Sequence, residues 1–183
     1  DWHHPDFPLT SPGGRVQRKQ SNLDRYTEYL KTQVKELVVD YGPLITLWFD
    51  VPQQFDARRG QDVIDFTRSL QPDIIINNRT GARGDYNTPE QRIGGFNRQR
   101  PWETCMTICR QWSWKPEDQM KSPAECVQTL LQTIGGDGNL LFNVGPMPDG
   151  RMEPRQVERL EEMGRWIHRH SDGIYETRGG PYK

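Results

Sequence analysis

The segment ITLWFDVPQQFD, residues 45–56, decides the fold class and presents the first candidate for chemistry. Its first half has the composition of a buried strand that ends at Asp50, and Val51-Pro52 then begins a turn. An acid at a strand end can cap a helix or close a turn, but Val-Pro-Gln-Gln is poor context for a helix cap. We therefore expect Asp50 to face a pocket, on the same face as Thr46 and Trp48. The opposite face carries Ile45, Leu47 and Phe49.

The composition is that of a folded domain with a polar, aromatic-rich surface. The chain has 183 residues, the length of one domain or slightly more. Only 33% of the residues are hydrophobic and the mean hydropathy is -0.91, yet six Trp, six Tyr and six Phe exceed what a disordered chain carries. The net charge of -1 attracts neither nucleic acid nor an anionic membrane. No apolar run reaches the roughly 18 residues of a transmembrane helix.

Metal binding is not predicted. The three cysteines, Cys105, Cys109 and Cys126, fit neither a disulfide framework nor a metal-ligand spacing, and we expect free thiols. His3 and His4 are adjacent, so on a strand they would point to opposite faces and could not share an ion. We expect neither a metal nor an organic cofactor.

Strand and helix patterns alternate along the chain. Strands are expected over residues 44–49, 73–78, 102–108 and 139–144. Helices are expected from a Ser21 cap to a stop at 41–43, over 60–70, from the Ser122-Pro123-Ala124-Glu125 start to 135–136, and from Pro154 to about His168. The apolar run at 73–78 is typical of a strand covered on both faces.

This order predicts an α/β fold in which right-handed βαβ units form a parallel sheet. The sequence contains no GxGxxG and no GxxxxGK[ST] motif, so a nucleotide-binding fold is not supported. In a βα barrel the chemistry lies at the carboxyl ends of the strands, which is where Asp50, Arg79 and Asn143 fall.

Further carboxylates follow in two segments that also contain aromatic residues. GDYNTPEQ, residues 84–91, contains Asp85 and Glu90, and RPWETCMTI, residues 100–108, contains Glu103. Glycoside hydrolysis needs one carboxylate at the anomeric centre, one acid for the leaving oxygen, and aromatic faces for the sugar. The combination therefore favours a glycosidase.

Six ordered motifs together resemble the carboxyl-terminal part of the catalytic barrel of α-L-fucosidases, glycoside hydrolase family 29. They are DWHHPD (1–6), YGPLITLWFD (41–50), IINNR (75–79), GDYNTPEQ (84–91), PWETCMTICRQWSW (101–114) and GGDGNLLFNVGPMPDG (135–150). The resemblance runs from Asp1 to about Arg178. It implies that fucosylated glycans or fucosides are the substrates.

The resemblance also implies roles for the charged residues. The family retains anomeric configuration through an aspartate nucleophile, which corresponds to Asp50. Glu90 is the favoured acid/base and Glu103 its rival; Glu103 could instead be a structural carboxylate that binds backbone or Arg110. Arg79 would lie near the sugar and keep Asp50 ionised, or it could be a surface arginine.

Aromatic and histidine side chains complete the implied sugar site. Trp112 would pack on the apolar face and methyl group of the deoxysugar, and Trp48 would lie beside the nucleophile. Trp114 either lines the same pocket or packs in the core. His4 reaches the sugar or anchors a loop.

The chain departs from the family in length. A complete βα barrel takes about 250 residues, whereas about four βα units can be counted here. We expect residues 1–183 to form one truncated domain, a partial (half) βα barrel without the family's amino-terminal strands and their histidines. Half a barrel exposes apolar strand edges, so we expect a homo-oligomer, with a two-fold dimer favoured. The alternatives are a non-catalytic sugar-binding or assembly remnant, and a different glycosidase specificity.

Overall fold

Strands and helices alternate in the order that the sequence predicts. The computed structural model describes residues 4–7, 21–50 and 55–180. The helices are α1 (Leu23–Asp40), α2 (Ala57–Leu70), α3 (Pro123–Gly135) and α4 (Pro154–Arg169). The strands are β1 (Thr46–Leu47), β2 (Ile75–Ile76), β3 (Glu103–Thr107) and β4 (Asn139–Asn143). Short 3-10 turns cover Asn78–Thr80 and Ser171–Gly173.

The chain divides into two compact units, Asp1–Tyr86 and Asn87–Lys183, called here the amino-terminal unit and the carboxyl-terminal unit. Each unit holds one pair of parallel strands with helices, which confirms the predicted parallel α/β class. Within the described ranges both sheets are two-stranded. The half barrel therefore stays a prediction.

In the amino-terminal unit, the ladder between β1 and β2 is short and side-chain amides extend it at both ends. Thr46 lies opposite Ile75, and Leu47 lies opposite Ile76. Before β1, the Gln71 amide accepts a hydrogen bond from the Leu44 N–H at 3.0 Å and donates to the Leu44 carbonyl. After β1, the Asn77 amide makes the same two bonds with Phe49. β1 is thus bracketed by two amide side chains.

The two helices of this unit cover one face of the strand pair. α1, α2 and that face form a buried core around Val34, Val63, Ile64, Ile74 and Ile76, with Leu47 and Phe49 packed on the same side. The expectation that β2 is covered on both faces is wrong, because Ile75 points away from the helices and is 44% exposed. Ile45, which lies just before β1, is 82% exposed, and its carbonyl accepts a hydrogen bond from the Ile75 N–H at 3.0 Å.

The first three helices begin where a side chain accepts hydrogen bonds from their first free backbone N–H groups. The predicted Ser21 cap of α1 is wrong by one residue: the Asn22 side chain accepts from the N–H groups of Asp24 and Arg25. α2 begins at Ala57, before the predicted Gly60, because Asp56 caps it through the Arg59 N–H. The predicted start of α3 is confirmed as a capping box between Ser122 and Glu125.

In the carboxyl-terminal unit, β3 and β4 pair over their whole length, from Glu103 opposite Asn139 to Thr107 opposite Asn143. The preceding segment, residues 87–91, runs parallel to β3 through bridges from Asn87 to Trp102 and from Glu90 to Cys105. α3 and α4 cover one face, where the buried residues Ile108, Cys109, Cys126 and Met163 pack with Leu140 and Phe142.

The segment after α4 is held by a buried carboxylate. The Arg178 guanidinium donates to both oxygens of Asp137, at 2.7 and 2.5 Å, and the Gly179 N–H donates to Oδ1 at 2.9 Å. The Asp137 side chain is only 5% exposed. These hydrogen bonds lower the pKa of Asp137 from 3.8 to about 2, and the bond from Arg178 is the largest cause. Burial of the carboxylate acts in the opposite direction.

Removal of this guanidinium is predicted to cost stability in a pH-dependent way. Because the folded pKa of Asp137 is depressed, the stabilisation is complete above the unfolded pKa of 3.8 and is lost as the pH falls through about 2. Because Arg178 is exposed and screened by solvent, we expect Arg178→Gln to lower the free energy of unfolding modestly near neutral pH and by much less at about pH 2. Urea unfolding across this range measures it.

The matched control is Arg165→Gln, which removes an exposed arginine 3.8 Å from Glu161 on α4. We expect this variant to unfold within about 0.5 kcal/mol of the parent at every pH. A stability difference for Arg178→Gln that stays constant down to about pH 2 would contradict the assignment to Asp137.

Candidate functional site

The carboxyl ends of β1 and β2 bring two of the predicted site residues together. Asp50 follows β1, and Arg79 lies in the 3-10 turn that follows β2. Arg79 Nη1 donates to Asp50 Oδ1 at 3.1 Å. The Asp50 side chain is 58% exposed, whereas that of Arg79 is 21% exposed. Parallel strands end at the same edge of their sheet, which explains why residues 29 apart in sequence form this pair.

Trp48 belongs to the same group. The Arg79 guanidinium carbon lies 4.6 Å from the centroid of the Trp48 ring, a distance at which the ring face attracts a cation. The indole therefore restrains the guanidinium from one side while the Asp50 carboxylate engages it at Nη1. Trp48, Asp50 and Arg79 form a compact group of an aromatic face, a carboxylate and a guanidinium at one sheet edge.

The sequence motifs did not reveal the part played by Asn77. Its side chain is fully buried; Nδ2 donates to the Phe49 carbonyl at 2.8 Å, and Oδ1 accepts from the Phe49 N–H at 3.1 Å. A buried amide without partners costs about 1 to 3 kcal/mol, so an asparagine at the end of an apolar run signals a polar partner nearby. The partner here is the residue immediately before Asp50.

Asp85 binds backbone and side-chain donors within the amino-terminal unit. Its carboxylate accepts from the Ile76 N–H at 2.7 Å and from Arg68 Nη2 at 2.6 Å. Gly84, with φ of +56°, precedes it, and a Cβ there would lie 2.2 Å from the Asn77 carbonyl oxygen. The chain after β2 is therefore folded closely against Asn77, and Asp85 fastens it there.

Glu90 and Glu103 lie in the carboxyl-terminal unit, at different positions along the length of β3. Glu103 is the first residue of β3, and its Oε2 accepts from Nδ2 of Asn139, directly opposite, at 2.8 Å. Glu90 is exposed and bridges to Cys105, two residues or about 7 Å farther toward the carboxyl end of β3. The structure thus gives Glu103 a cross-strand partner, Asn139, which no sequence motif predicts.

Gln91 holds the chain against β3 immediately after Glu90. Its backbone adopts the left-handed region, with φ of +51°. Its N–H donates to the Cys105 carbonyl at 2.9 Å, and its side-chain Nε2 donates to Thr107 Oγ1 at 3.0 Å. Glu90 therefore occupies the last position of this segment before a fixed turn.

The two tryptophans of QWSW have different environments. The Trp114 indole N–H donates to Glu153 Oε2 at 3.0 Å. Glu153 is buried, and the hydrogen bond from Arg155 is the main cause that lowers its pKa, with Trp114 adding to the same effect. Trp112 is 40% exposed, and its backbone carbonyl accepts from Asn143 Nδ2 at 2.8 Å, at the carboxyl end of β4.

His4 lies in the amino-terminal unit among aromatic residues. Its Nδ1 accepts from the Asp6 N–H at 3.1 Å, and its ring lies 4.4 Å from that of Tyr29 and 5.3 Å from that of Tyr26. Asp6 in turn pairs with Arg25 at 2.5 Å. These contacts support the loop-anchoring alternative for His4.

Across residues 4–7, 21–50 and 55–180, no group of three or more His, Cys, Asp or Glu side chains is arranged to hold a metal ion. In the same ranges no helix is both long and apolar enough to span a bilayer.

The chain is similar to proteins described as alpha-L-fucosidases. A family model described as alpha-L-fucosidase matches residues 1–172. An alpha-L-fucosidase of Branchiostoma floridae is 35% identical over 194 residues, which cover 97% of this chain and 42% of that protein. The chain spans about two fifths of the length of the curated relatives it matches.

Solved structures of this family share the fold. Alpha-L-fucosidase isoenzyme 1 from Paenibacillus thiaminolyticus superposes with a TM-score of 0.87 at 30% identity, covering 100% of this chain and 50% of that one. An alpha-L-fucosidase from Lactobacillus casei in complex with alpha-L-fucose product gives a TM-score of 0.78 at 27% identity, covering 94% and 58%.

The contrast between the tryptophans predicts different costs for the same substitution. Trp114→Phe removes a donor from a buried carboxylate and is expected to lower the free energy of unfolding by about 1 to 2 kcal/mol. Trp112→Phe, at an exposed ring, is expected to change it by less than about 0.5 kcal/mol. Denaturant unfolding of both variants measures the difference, and equal losses would contradict the Trp114–Glu153 assignment.

Proposed function

Because the chain belongs to the alpha-L-fucosidase family, we propose that it hydrolyses terminal α-L-fucosides with retention of configuration and that Asp50 is the nucleophile. The contact that carries this proposal is the 3.1 Å bond between Arg79 and Asp50 at the carboxyl edge of β1 and β2. That edge is where parallel α/β folds place their chemistry. A relative solved with alpha-L-fucose product supports fucose as the sugar released.

The proposed reaction is a double displacement. An Asp50 carboxylate oxygen attacks the anomeric carbon, while a carboxylic acid, assigned to Glu90, protonates the departing glycosidic oxygen. The bond between the anomeric carbon and the aglycone breaks, and a fucosyl-aspartate ester forms. Glu90 then takes a proton from water, whose oxygen attacks the anomeric carbon and displaces Asp50.

The other side chains are assigned to positioning the nucleophile and to binding the sugar. Arg79 holds the Asp50 carboxylate in position, and Trp48 restrains Arg79. The exposed ring of Trp112 offers an apolar surface to the methyl group and apolar face of fucose. Trp114 and His4 have contacts within the protein that give each a structural task, and sugar contact by either stays a prediction.

The assignment of Glu90 over Glu103 rests on position along the strands. Glu103 begins β3, so it lies at the amino end of the strand pair, and its carboxylate is engaged by Asn139. Glu90 is exposed and lies farther toward the carboxyl end, just before the turn at Gln91. Catalytic groups of parallel α/β folds come from carboxyl ends, which favours Glu90.

Assembly is a separate proposal. In the amino-terminal unit, Ile45, Ile75 and Tyr41 are exposed around the strand pair. Exposed apolar side chains beside a two-stranded sheet invite association, and a second copy of the chain in a two-fold dimer would cover them. The single truncated domain, the half barrel and the dimer all stay predictions.

The nucleophile is tested by release of nitrophenol from 4-nitrophenyl α-L-fucoside. Asp50→Ala is expected to lower turnover by a factor on the order of 10⁴ because no carboxylate remains to form the ester. Asp73→Ala, which removes an exposed aspartate near β2, is the matched control and should keep the parent's turnover.

The outcomes of this assay separate the candidate functions. Equal turnover by the parent and Asp50→Ala would exclude Asp50 as nucleophile. Absence of turnover in both proteins, together with a rise in melting temperature on addition of fucose, would support the non-catalytic sugar-binding alternative.

The acid/base is tested with azide. In Glu90→Gln we expect turnover to fall about 10² to 10⁴-fold, because the ester still forms with a good leaving group but water is no longer activated. Azide needs no deprotonation, so it should restore turnover and give the α-fucosyl azide. Glu103→Gln is the matched variant. Azide rescue of Glu103→Gln in place of Glu90→Gln would reverse the assignment.

A further inference from the structure

We infer that Asn77 is a positioning residue for Asp50: its side-chain amide holds the backbone of Phe49 and thereby sets where the carboxylate of the next residue lies. The inference rests on the proposed function, since it explains how the nucleophile is aimed. It concerns a residue that touches neither the sugar nor the reacting atoms in the proposed reaction.

The need for such a residue follows from the shortness of the ladder. Regular pairing of β1 with β2 ends at Leu47 and Ile76. Asp50 lies three positions beyond, in sequence, and its side chain is largely exposed. A carboxylate at the end of an unsupported segment would sample many positions, and misplacement by about 1 Å is enough to slow a reaction strongly.

The Asn77 amide supplies the missing support. It engages both backbone groups of Phe49, donating to the carbonyl at 2.8 Å and accepting from the N–H at 3.1 Å. The Phe49 side chain is buried in the core, so the residue before Asp50 is held through its backbone and its ring. The amide thus takes the place of a further pair of ladder hydrogen bonds.

Asn77 is itself fixed. Its backbone bridges in parallel to Tyr86, and Gly84 lies against its carbonyl, so closely that a Cβ would be 2.2 Å away. Two residues farther along the chain, Arg79 engages the Asp50 carboxylate. Within residues 77–79, Asn77 therefore holds the backbone before Asp50, and Arg79 holds the Asp50 carboxylate.

Gln71 offers a control with the same chemistry at the other end of β1. Its amide accepts from the Leu44 N–H at 3.0 Å and donates to the Leu44 carbonyl. Gln71→Glu and Asn77→Asp each keep the acceptor and lose the donor of one amide–backbone pair. Of the two, Asn77 alone binds the residue that precedes Asp50. If both amides are purely structural, the two substitutions should slow the reaction to a similar extent. If Asn77 positions Asp50, its substitution should slow the reaction more than that of Gln71.

The experiment measures formation of the covalent ester at Asp50. Each protein is incubated with excess 2-fluoro-fucosyl fluoride, and the rate of gain in intact mass is followed. Fluoride leaves without protonation, so this rate reports attack by the nucleophile alone. We expect Asn77→Asp to be trapped at least about tenfold more slowly than the parent, and Gln71→Glu within about twofold of it.

A second pair of variants addresses charge and folding. Asn77→Ser and Gln71→Ser introduce no carboxylate, and circular dichroism below the melting temperature shows whether each is folded. In steady-state assays with 4-nitrophenyl α-L-fucoside, we expect kcat of Asn77→Ser to fall at least about tenfold while KM stays within about threefold.

The results distinguish this inference from the proposed function. Folded Asn77 variants that are trapped at the parent's rate, or Gln71 variants slowed to the same extent, would overturn the positioning role and leave the fucosidase assignment intact. A parent chain that is neither trapped nor active would overturn the fucosidase assignment and, with it, the role given to Asn77.

Discussion

Parallel pairing of two very short strands is the constraint on which the candidate site depends. Two residue pairs of β1 and β2 set the register, and that register places the residues that follow each strand side by side. Asp50 and Arg79 meet for this reason. So short a ladder leaves the backbone on either side without regular partners, and the amides of Gln71 and Asn77 provide them.

The order and type of the elements could be predicted from the sequence because they depend on local signals. The capping box at Ser122 and Glu125 and the apolar spacing of the helices act within a few residues of chain. The prediction of Ser21 as the cap of α1 is wrong by one residue because both Ser and Asn can cap a helix. Only the backbone geometry of the folded chain decides between neighbours.

The parts of the site that escaped prediction depend on partners far away in sequence. Asn77 lies 28 residues after Phe49, and Asn139 lies 36 residues after Glu103. The two tryptophans of QWSW look alike in sequence, yet a carboxylate 39 residues away engages Trp114. Motifs predict which residue types form the proposed fucosidase site, whereas tertiary contacts show which of those side chains have hydrogen-bond partners within the protein.

Gly84 limits how this region can change during evolution or engineering. It has no side chain to contribute, yet any side chain there would press on the Asn77 carbonyl, and the positive φ adds backbone strain. A substitution would therefore displace Asn77 and then the backbone before Asp50, although Gly84 lies 34 positions from Asp50 in the chain. In a mutational scan, substitutions of Gly84 would lower activity in the same way as substitutions of a catalytic residue. Loss of activity identifies the residues on which the geometry rests as readily as those that perform the chemistry.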